Sequence, residues 1–247
     1  MVKVINVINR IGSKENDIKF FKHLLPLDVE TVVEVFGGSF AVIKHFYKDL
    51  DKYKFHINDL DDDLFYIYNN YNEMIAKFKE LNETYIESFE YKNKEFKLYF
   101  ESLEMNGHLK NYLYKTNFVR GCMFKPKKSL NYNPIEIDIL NNALITNKDY
   151  KELFAQYHDD ENAFLFLDPP YLFSDNSGYN PQNEDTDMTQ IIIDILELIK
   201  TCKCKVMIVI NKLNILSYLF KDFVKTEYGK IYQISKKKAI HIVITNY

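Results

Sequence analysis

The sequence predicts an α/β fold: a mostly parallel sheet flanked by helices, with an antiparallel hairpin at one edge and a mainly helical insert. Three observations predict it. Short apolar runs alternate with helical patterns, as in parallel strands joined by crossovers. A polar, helix-rich stretch from about 63 to 141 interrupts that rhythm. Two final strand-like runs flank the cluster Lys236-Lys237-Lys238, as a hairpin requires.

Taken in order, Thr31 to Val35 reads as a strand, followed by a glycine turn and a helix over Ser39 to Leu50. Lys54 to Asn58 reads as a second strand. Asp61 to Leu81 carries one helical pattern, its acidic start favourable with the helix dipole. Phe118 to Pro134 reads as an irregular or hairpin segment. Alternation resumes with a strand near Leu144-Ile145, a helix from Lys148 and a buried strand at Phe164-Leu165-Phe166-Leu167. Asp187 with Gln190 fits a capping box opening a helix to Lys200. Lys205 to Ile210 is another buried strand. Glu227 to Ser235 and Ala239 to Thr245 pair as the terminal hairpin. Residues 1–62 and 142–247 thus form one domain, and 63–141 an insert.

Composition excludes several classes. At 247 residues and 47% hydrophobic, the chain can bury a substantial core. Its apolar stretches are too short to span a bilayer, and Met1 to Arg10 lacks a signal-peptide pattern. The expectation is a soluble intracellular protein with no membrane partner. A net charge of −3 does not advertise a polyanion binder, so phosphate contacts need local basic patches. Arg10 and Arg120 are the only arginines in a lysine-rich chain, where a bidentate fork matters. Cys122, Cys202 and Cys204 make no even disulfide framework. Cys202-Lys203-Cys204 lacks zinc-site spacing, and no metal is expected.

The chemistry concentrates at Leu167-Asp168-Pro169-Pro170-Tyr171, at the carboxyl end of a buried strand, where open α/β sheets bind ligands. Each proline fixes its own φ, cannot donate a backbone hydrogen bond and biases the residue before it to extended geometry. The carbonyls of Asp168 and Pro169 are therefore expected as fixed acceptors. They suit an amino group in the plane of an aromatic base, on which Tyr171 can stack. A second strand end carries Phe36-Gly37-Gly38-Ser39 before a helix, where glycine permits close backbone approach to a ligand. A third ends at Asn58-Asp59, placing a carboxylate to accept from ribose hydroxyls. Three strand ends thus converge on one edge.

These residues resemble the Dam-type family of adenine-N6 DNA methyltransferases. Asp168-Pro169-Pro170-Tyr171 matches its catalytic motif, and Phe36-Gly37-Gly38 its Phe-x-Gly motif. Gly12-Ser13-Lys14 approximates an early Gly-Gly-Lys. Asp59 matches the acid after strand two, Asp149-Tyr150 an Asp-Phe pair, and Ile244-Thr245-Asn246-Tyr247 the closing strand. The resemblance runs from near residue 9 to 247 and is thin between about 63 and 115. It implies a Rossmann-like, S-adenosylmethionine-dependent sheet. Arg10, Gly12, Ser13, Lys14, Phe36, Gly37, Gly38, Ser39, Asp59, Asp149, Tyr150 and Asp168 would line the cofactor pocket. Asp168, Pro169, Pro170 and Tyr171 would act on an adenine flipped out of double-stranded DNA. Leu172 to Asp185 would close over that base. The insert would recognise DNA through Asn117, Arg120, Lys125, Lys127 and Lys128, with the lysines on phosphates.

Two departures stand out. The family's second glycine is replaced by Phe40, which is expected to resist φ > 0 and so to move the tight turn to Gly37. Val35 replaces a proline. The residues leave three alternatives open: adenine in RNA, the cytosine amino group in DNA, or a nucleic-acid-binding relic with weakened cofactor affinity.

Overall fold

The computed structural model describes residues 4–8, 13–47, 51–119, 121, 123–127, 130–170, 188–231 and 238–247. A short helix α1 (Ile18–Phe21) precedes β1 (Thr31–Glu34), α2 (Ala41–Phe46) and β2 (Lys54–Asn58). Then come α3 (Asp62–Asn69), α4 (Tyr71–Ser88), α5 (Asn93–Ser102), α6 (Gly107–Asn117), β3 (Phe118–Val119) and β4 (Met123–Phe124). The chain returns through α7 (Pro134–Asn142), β5 (Leu144–Thr146), α8 (Tyr150–Tyr157) and β6 (Ala163–Leu167). It continues through α9 (Met188–Thr201), β7 (Lys205–Asn211), α10 (Asn214–Leu219), β8 (Val224–Ile231) and β9 (Lys238–Thr245).

The main sheet has the order β5-β2-β1-β6-β7-β9-β8. Its first five strands are parallel, and β9 runs antiparallel between β7 and β8. From β1 the chain winds outward through β2 to β5, then returns to β6 and winds the other way. The switch point therefore lies between β1 and β6, and the crevice beyond their carboxyl ends is the favoured ligand position.

Strand alternation explains why both faces are buried. Val32, Phe164 and Phe166 face one layer with Val42 and Ile43 of α2. Val33, Leu165 and Leu167 face the other, with Leu153 of α8 and Ile191 and Ile195 of α9. Full burial of each large side chain contributes about 1.5–3 kcal/mol. The apolar run at 163–167 is thus a central strand that holds the residue after it in place.

The helix expected over 61–81 is two helices. Asp61 caps α3 by accepting from Asp63 and Leu64 N–H. At Asn70 the backbone leaves helical geometry (φ −128°, ψ 30°), and its amide donates to the Tyr66 carbonyl, 2.8 Å away. This local bond competes with helix continuation. Beyond it, α4, α5, α6 and the small β3–β4 hairpin enclose an aromatic cluster. Phe96 lies 4.9 Å from Tyr85 and 4.7 Å from Phe124, and Phe100 lies 4.9 Å from Phe118, by ring centroids. Asp63 of α3 takes Lys115 and His108 of α6 at 2.8 and 3.0 Å. The sheet side regains the chain at α7, which has Pro134 in its first turn and Asn133 as cap. Buried Glu136 of α7 pairs with Lys44 of α2 at 2.6 Å and also accepts from Val7 and Ile8 N–H, anchoring the N-terminal segment. Asp187 of the expected capping box lies outside the described residues. Among those residues no helix is long and apolar enough to cross a membrane.

Candidate active site

The glycine turn after β1 differs from expectation. Gly37 N–H donates to the Asn58 carbonyl at 2.6 Å. A Cβ on Gly37 would meet Ile57 Cγ2 at 2.8 Å and the Asn58 carbonyl at 2.9 Å, so close packing on β2 requires glycine there. The left-handed residues are Gly38 (φ 52°) and Phe40 (φ 39°). Phe40 does not resist positive φ, and the tight turn does not move to Gly37. Its ring is fully buried, meets Tyr68 edge-on at 6.1 Å and lies 5.3 Å from Lys44 Nζ. Burial of that ring offsets the backbone strain. Helix α2 begins only at Ala41, and Phe40 supplies no side-chain cap. Glu34, at the end of β1, does so instead: Oε1 accepts from Val42 and Ile43 N–H, both at 2.8 Å. Burial pushes the Glu34 carboxyl up to about 8, against those two bonds.

Asp59, the first residue beyond β2, folds back under this turn. Its Oδ2 accepts from Gly38 N–H at 2.8 Å and its Oδ1 from Asp61 N–H at 3.0 Å. A carboxylate has about four lone-pair sites, so each oxygen keeps acceptor capacity. Asn58 braces the same edge by donating to the Val35 and Lys148 carbonyls, both at 3.0 Å. Asp149 is the exposed N-cap of α8, accepting from Lys151 N–H at 2.9 Å. Tyr150 packs its ring 6.1 Å from Phe36, and its hydroxyl donates to Asp194 at 2.6 Å. Ser39 Oγ donates to Ser13 Oγ at 2.7 Å, bringing the early Gly-Ser-Lys segment to the glycine turn.

Asp168 follows β6 at the switch point. Lys14, itself buried, places Nζ 2.5 Å from both carboxylate oxygens, across 154 residues of sequence. Burial pushes the Asp168 carboxyl up, and the Lys14 ammonium opposes it. The sequence-predicted cofactor and catalytic residues that are described come from the carboxyl ends of β1, β2 and β6 and from the Ser13-Lys14 turn, joined by the Ser39–Ser13, Gly38–Asp59 and Lys14–Asp168 bonds, with Asp149 and Tyr150 opening α8 beyond β5. Pro169 is buried and Pro170 half-buried. Arg10, Gly12 and Tyr171 lie outside the described residues, as do residues 172–185.

Comparison with known proteins bears on this crevice. Residues 11–240 match the family described as D12 class N6 adenine-specific DNA methyltransferase. The chain belongs to this family. The Type II methyltransferase M.CviBI of Paramecium bursaria Chlorella virus NC1A is 26% identical over 274 aligned residues, spanning 98% of this chain and 99% of that protein. A crystal structure of the hMettl16 catalytic domain in complex with MAT2A 3'UTR hairpin 6 matches with TM-score 0.42 and 10% identity, over 100% of this chain and 75% of that one.

By that family the protein is a DNA methyltransferase acting on adenine N6, and its sheet, parallel but for β9 between β7 and β8, is Rossmann-like. On the insert of this adenine methyltransferase, Lys125 is exposed and Lys127 half-buried beside the β3–β4 hairpin. Asn82 holds the Lys127 backbone in place, accepting from its N–H at 2.7 Å and donating to its carbonyl at 3.2 Å. Asn117 is buried, its amide donating to the Leu113 carbonyl and Thr116 hydroxyl within α6, so the structure gives it a scaffolding part. Arg120 and Lys128 lie outside the described residues. Sequence reasoning missed Glu34 and Asn82. A lone carboxylate in the apolar run at 31–35 was the available signal for Glu34; nothing local marks Asn82.

Proposed function

We propose that this methyltransferase uses S-adenosylmethionine and acts on an adenine flipped out of double-stranded DNA within a short specific site. The observation that carries the reading is the Lys14–Asp168 pair at the switch point, beside the glycine turn held by Asp59. The donor set fits the cofactor. Asp59 keeps acceptor capacity on both oxygens for a hydroxyl pair, Asp149 keeps its second oxygen for an amino group, and the half-buried Phe36 ring offers an apolar face. Arg10, Gly12, Ser13, Lys14, Gly37, Gly38, Ser39 and Tyr150 complete the proposed pocket.

When bound, S-adenosylmethionine supplies an electrophilic methyl group on a sulfonium. The chain's own residues do the rest. Adenine N6 is a weak nucleophile because its lone pair is delocalised into the ring. Asp168 and the Pro169 carbonyl accept its N–H groups, turn the lone pair outward and stabilise the positive charge that develops on nitrogen. Lys14 favours the ionised Asp168, the form that accepts only. Pro169 and Pro170 have no backbone N–H to compete. Tyr171 stacks on the extruded base, replacing stacking lost in the duplex. Orientation of the two reacting groups supplies the proximity contribution.

The insert within 63–141 is the proposed recognition part, with 1–62 and 142–247 catalytic. Exposed Lys125 and half-buried Lys127, with Lys128, are proposed to contact phosphates, and Arg120 a guanine or a phosphate. The test is labelled methyl transfer to unmethylated duplex DNA, with nucleosides identified by mass spectrometry and Asp168→Ala in parallel. N6-methyladenine, falling at least about a hundredfold in the variant, is expected. Label on cytosine or only on RNA would overturn the substrate, and calorimetry showing no S-adenosylmethionine binding would overturn the cofactor.

A further inference from the structure

The N-terminal turn that delivers Lys14 is fastened on its far side to the terminal hairpin. Asp17 and Ile18 N–H both donate to the Lys14 carbonyl, at 2.8 and 3.0 Å, so Lys14 and Asp17 move as one turn. The Asp17 carboxylate is buried and accepts from Lys230 Nζ at 2.6 Å and from the Tyr228 hydroxyl at 3.3 Å. Both partners come from β8. The Tyr228 ring is stacked between Phe20 at 4.8 Å and His241 of β9 at 5.2 Å, which fixes its hydroxyl. With its carboxylate buried and Lys230 half-buried, the pair carries a desolvation cost, so it is a poor choice for stability alone. Here it stands directly behind the lysine that meets Asp168.

We infer that the Asp17–Lys230 pair is a positioning device for methyl transfer, locking the Lys14 turn to β8 so that the lysine ammonium meets both oxygens of Asp168. This rests on the proposed role of Asp168. Asp17 and Lys230 reach the reaction through Lys14 and are positioning residues. The charged groups whose fields reach Asp168 among the described residues are Lys14 and Asp17 from the turn, Glu34 from β1 and Lys230 from β8, while Tyr228 of β8 and His241 of β9 face the Asp17–Lys230 pair. Burial holds His241 down at about 4, so it is neutral across the working range. Beyond burial and Lys14, the field of Lys230 lowers the Asp168 carboxyl and that of Asp17 raises it. The two members therefore act on Asp168 with opposite sign, while both support its geometry.

The experiment compares wild type, Lys230→Gln, Asp17→Asn, the double variant, Lys230→Arg and Tyr228→Phe. It uses single-turnover methyl transfer to duplex DNA across pH, with calorimetric binding of S-adenosylmethionine. Each of the first two variants is expected to lose about ten- to a hundredfold in rate, as a small misplacement of reacting groups does. Any change in cofactor Kd is expected to be much smaller than the loss of rate, since Lys14 is only one member of the proposed pocket. The double variant should be no slower than the worse single one, and Lys230→Arg should regain most of the rate. The acid limb should move up in Lys230→Gln and down in Asp17→Asn. Tyr228→Phe keeps the stacked ring and loses only the hydroxyl, so it serves where Asp17→Asn fails to fold, with a smaller loss of the same kind. Wild-type rate and acid limb in folded Lys230→Gln and Tyr228→Phe, with only thermal stability lowered, would overturn the inference. Absence of adenine methylation by the wild type would instead sink the functional reading itself.

Discussion

Phe40 stands where a glycine is expected, and the structure makes a quantitative prediction about it. Replacing Phe40 with alanine removes a fully buried ring and should cost about 3–5 kcal/mol. The alanine still sits at φ 39°, so the left-handed strain of about 1–2 kcal/mol remains. Replacing it with glycine removes the same ring and one more carbon, and adds about 0.5–1 kcal/mol of backbone entropy. It also releases the strain. The glycine variant should therefore be more stable than the alanine variant by about 0.5–1 kcal/mol, the reverse of the order found at ordinary helix positions. Urea denaturation of wild type and both variants, with equal m-values, measures this directly. An alanine variant more stable than the glycine one by about 0.5–1 kcal/mol, the order at ordinary helix positions, would show that position 40 carries no left-handed strain. The claim that ring burial offsets backbone cost would then be wrong.

Other tests address the cap, the cofactor acid and the DNA contacts. Glu34 has its carboxyl raised in the fold from 4.5 to about 8, so its ionised form is penalised and stability falls as pH rises through that window. Glu34→Gln keeps an acceptor for the α2 N–H groups, and should gain on wild type across the same window by up to about 5 kcal/mol; a pH-independent difference in denaturation would refute this. Asp59→Asn should weaken S-adenosylmethionine binding about tenfold, or about 1.4 kcal/mol, by calorimetry, with folding intact. Lys125→Gln and Lys127→Gln should each reduce the slope of log affinity against log salt by about 0.9 on duplex DNA, uniformly across sequences; an unchanged slope removes that lysine from the phosphate contacts.

What was legible in the sequence follows from locality. Strands β1, β2, β6 and β7 are largely enclosed on both faces, so they read as apolar runs with clear ends. The parallel sheet and its edge hairpin followed from the alternation and the last two strand-like runs, but the strand order within the sheet did not. The break at Asn70 was hidden because apolar spacing continues through it, and one side-chain bond ends the helix. Short elements such as α1 and α10 have too few turns for a period to show. The motif residues were visible as words, but their contacts were not. Lys14 and Asp168 meet across 154 residues, and Asp17 and Lys230 across 213, distances at which no pattern in one sequence specifies a pairing. Glu34 was hidden for a different reason: it caps a helix whose own N-cap position holds a phenylalanine.

The position of β9 has a consequence for how the protein matures. The strand latest in chain order fills an interior slot, pairing with β7 on one side and β8 on the other. Until it leaves the ribosome, β7 presents an open edge. The N-terminal turn can find its docking partner only after more than two hundred further residues have been made. Such long-range closure is slow and late in folding. A nascent chain can therefore hold a formed glycine turn and a finished β6 and still lack a seated lysine. With Lys14 seated through the proposed Asp17–Lys230 lock, competence to modify DNA is expected to arrive with β8 and β9, leaving partly synthesised chains silent as enzymes.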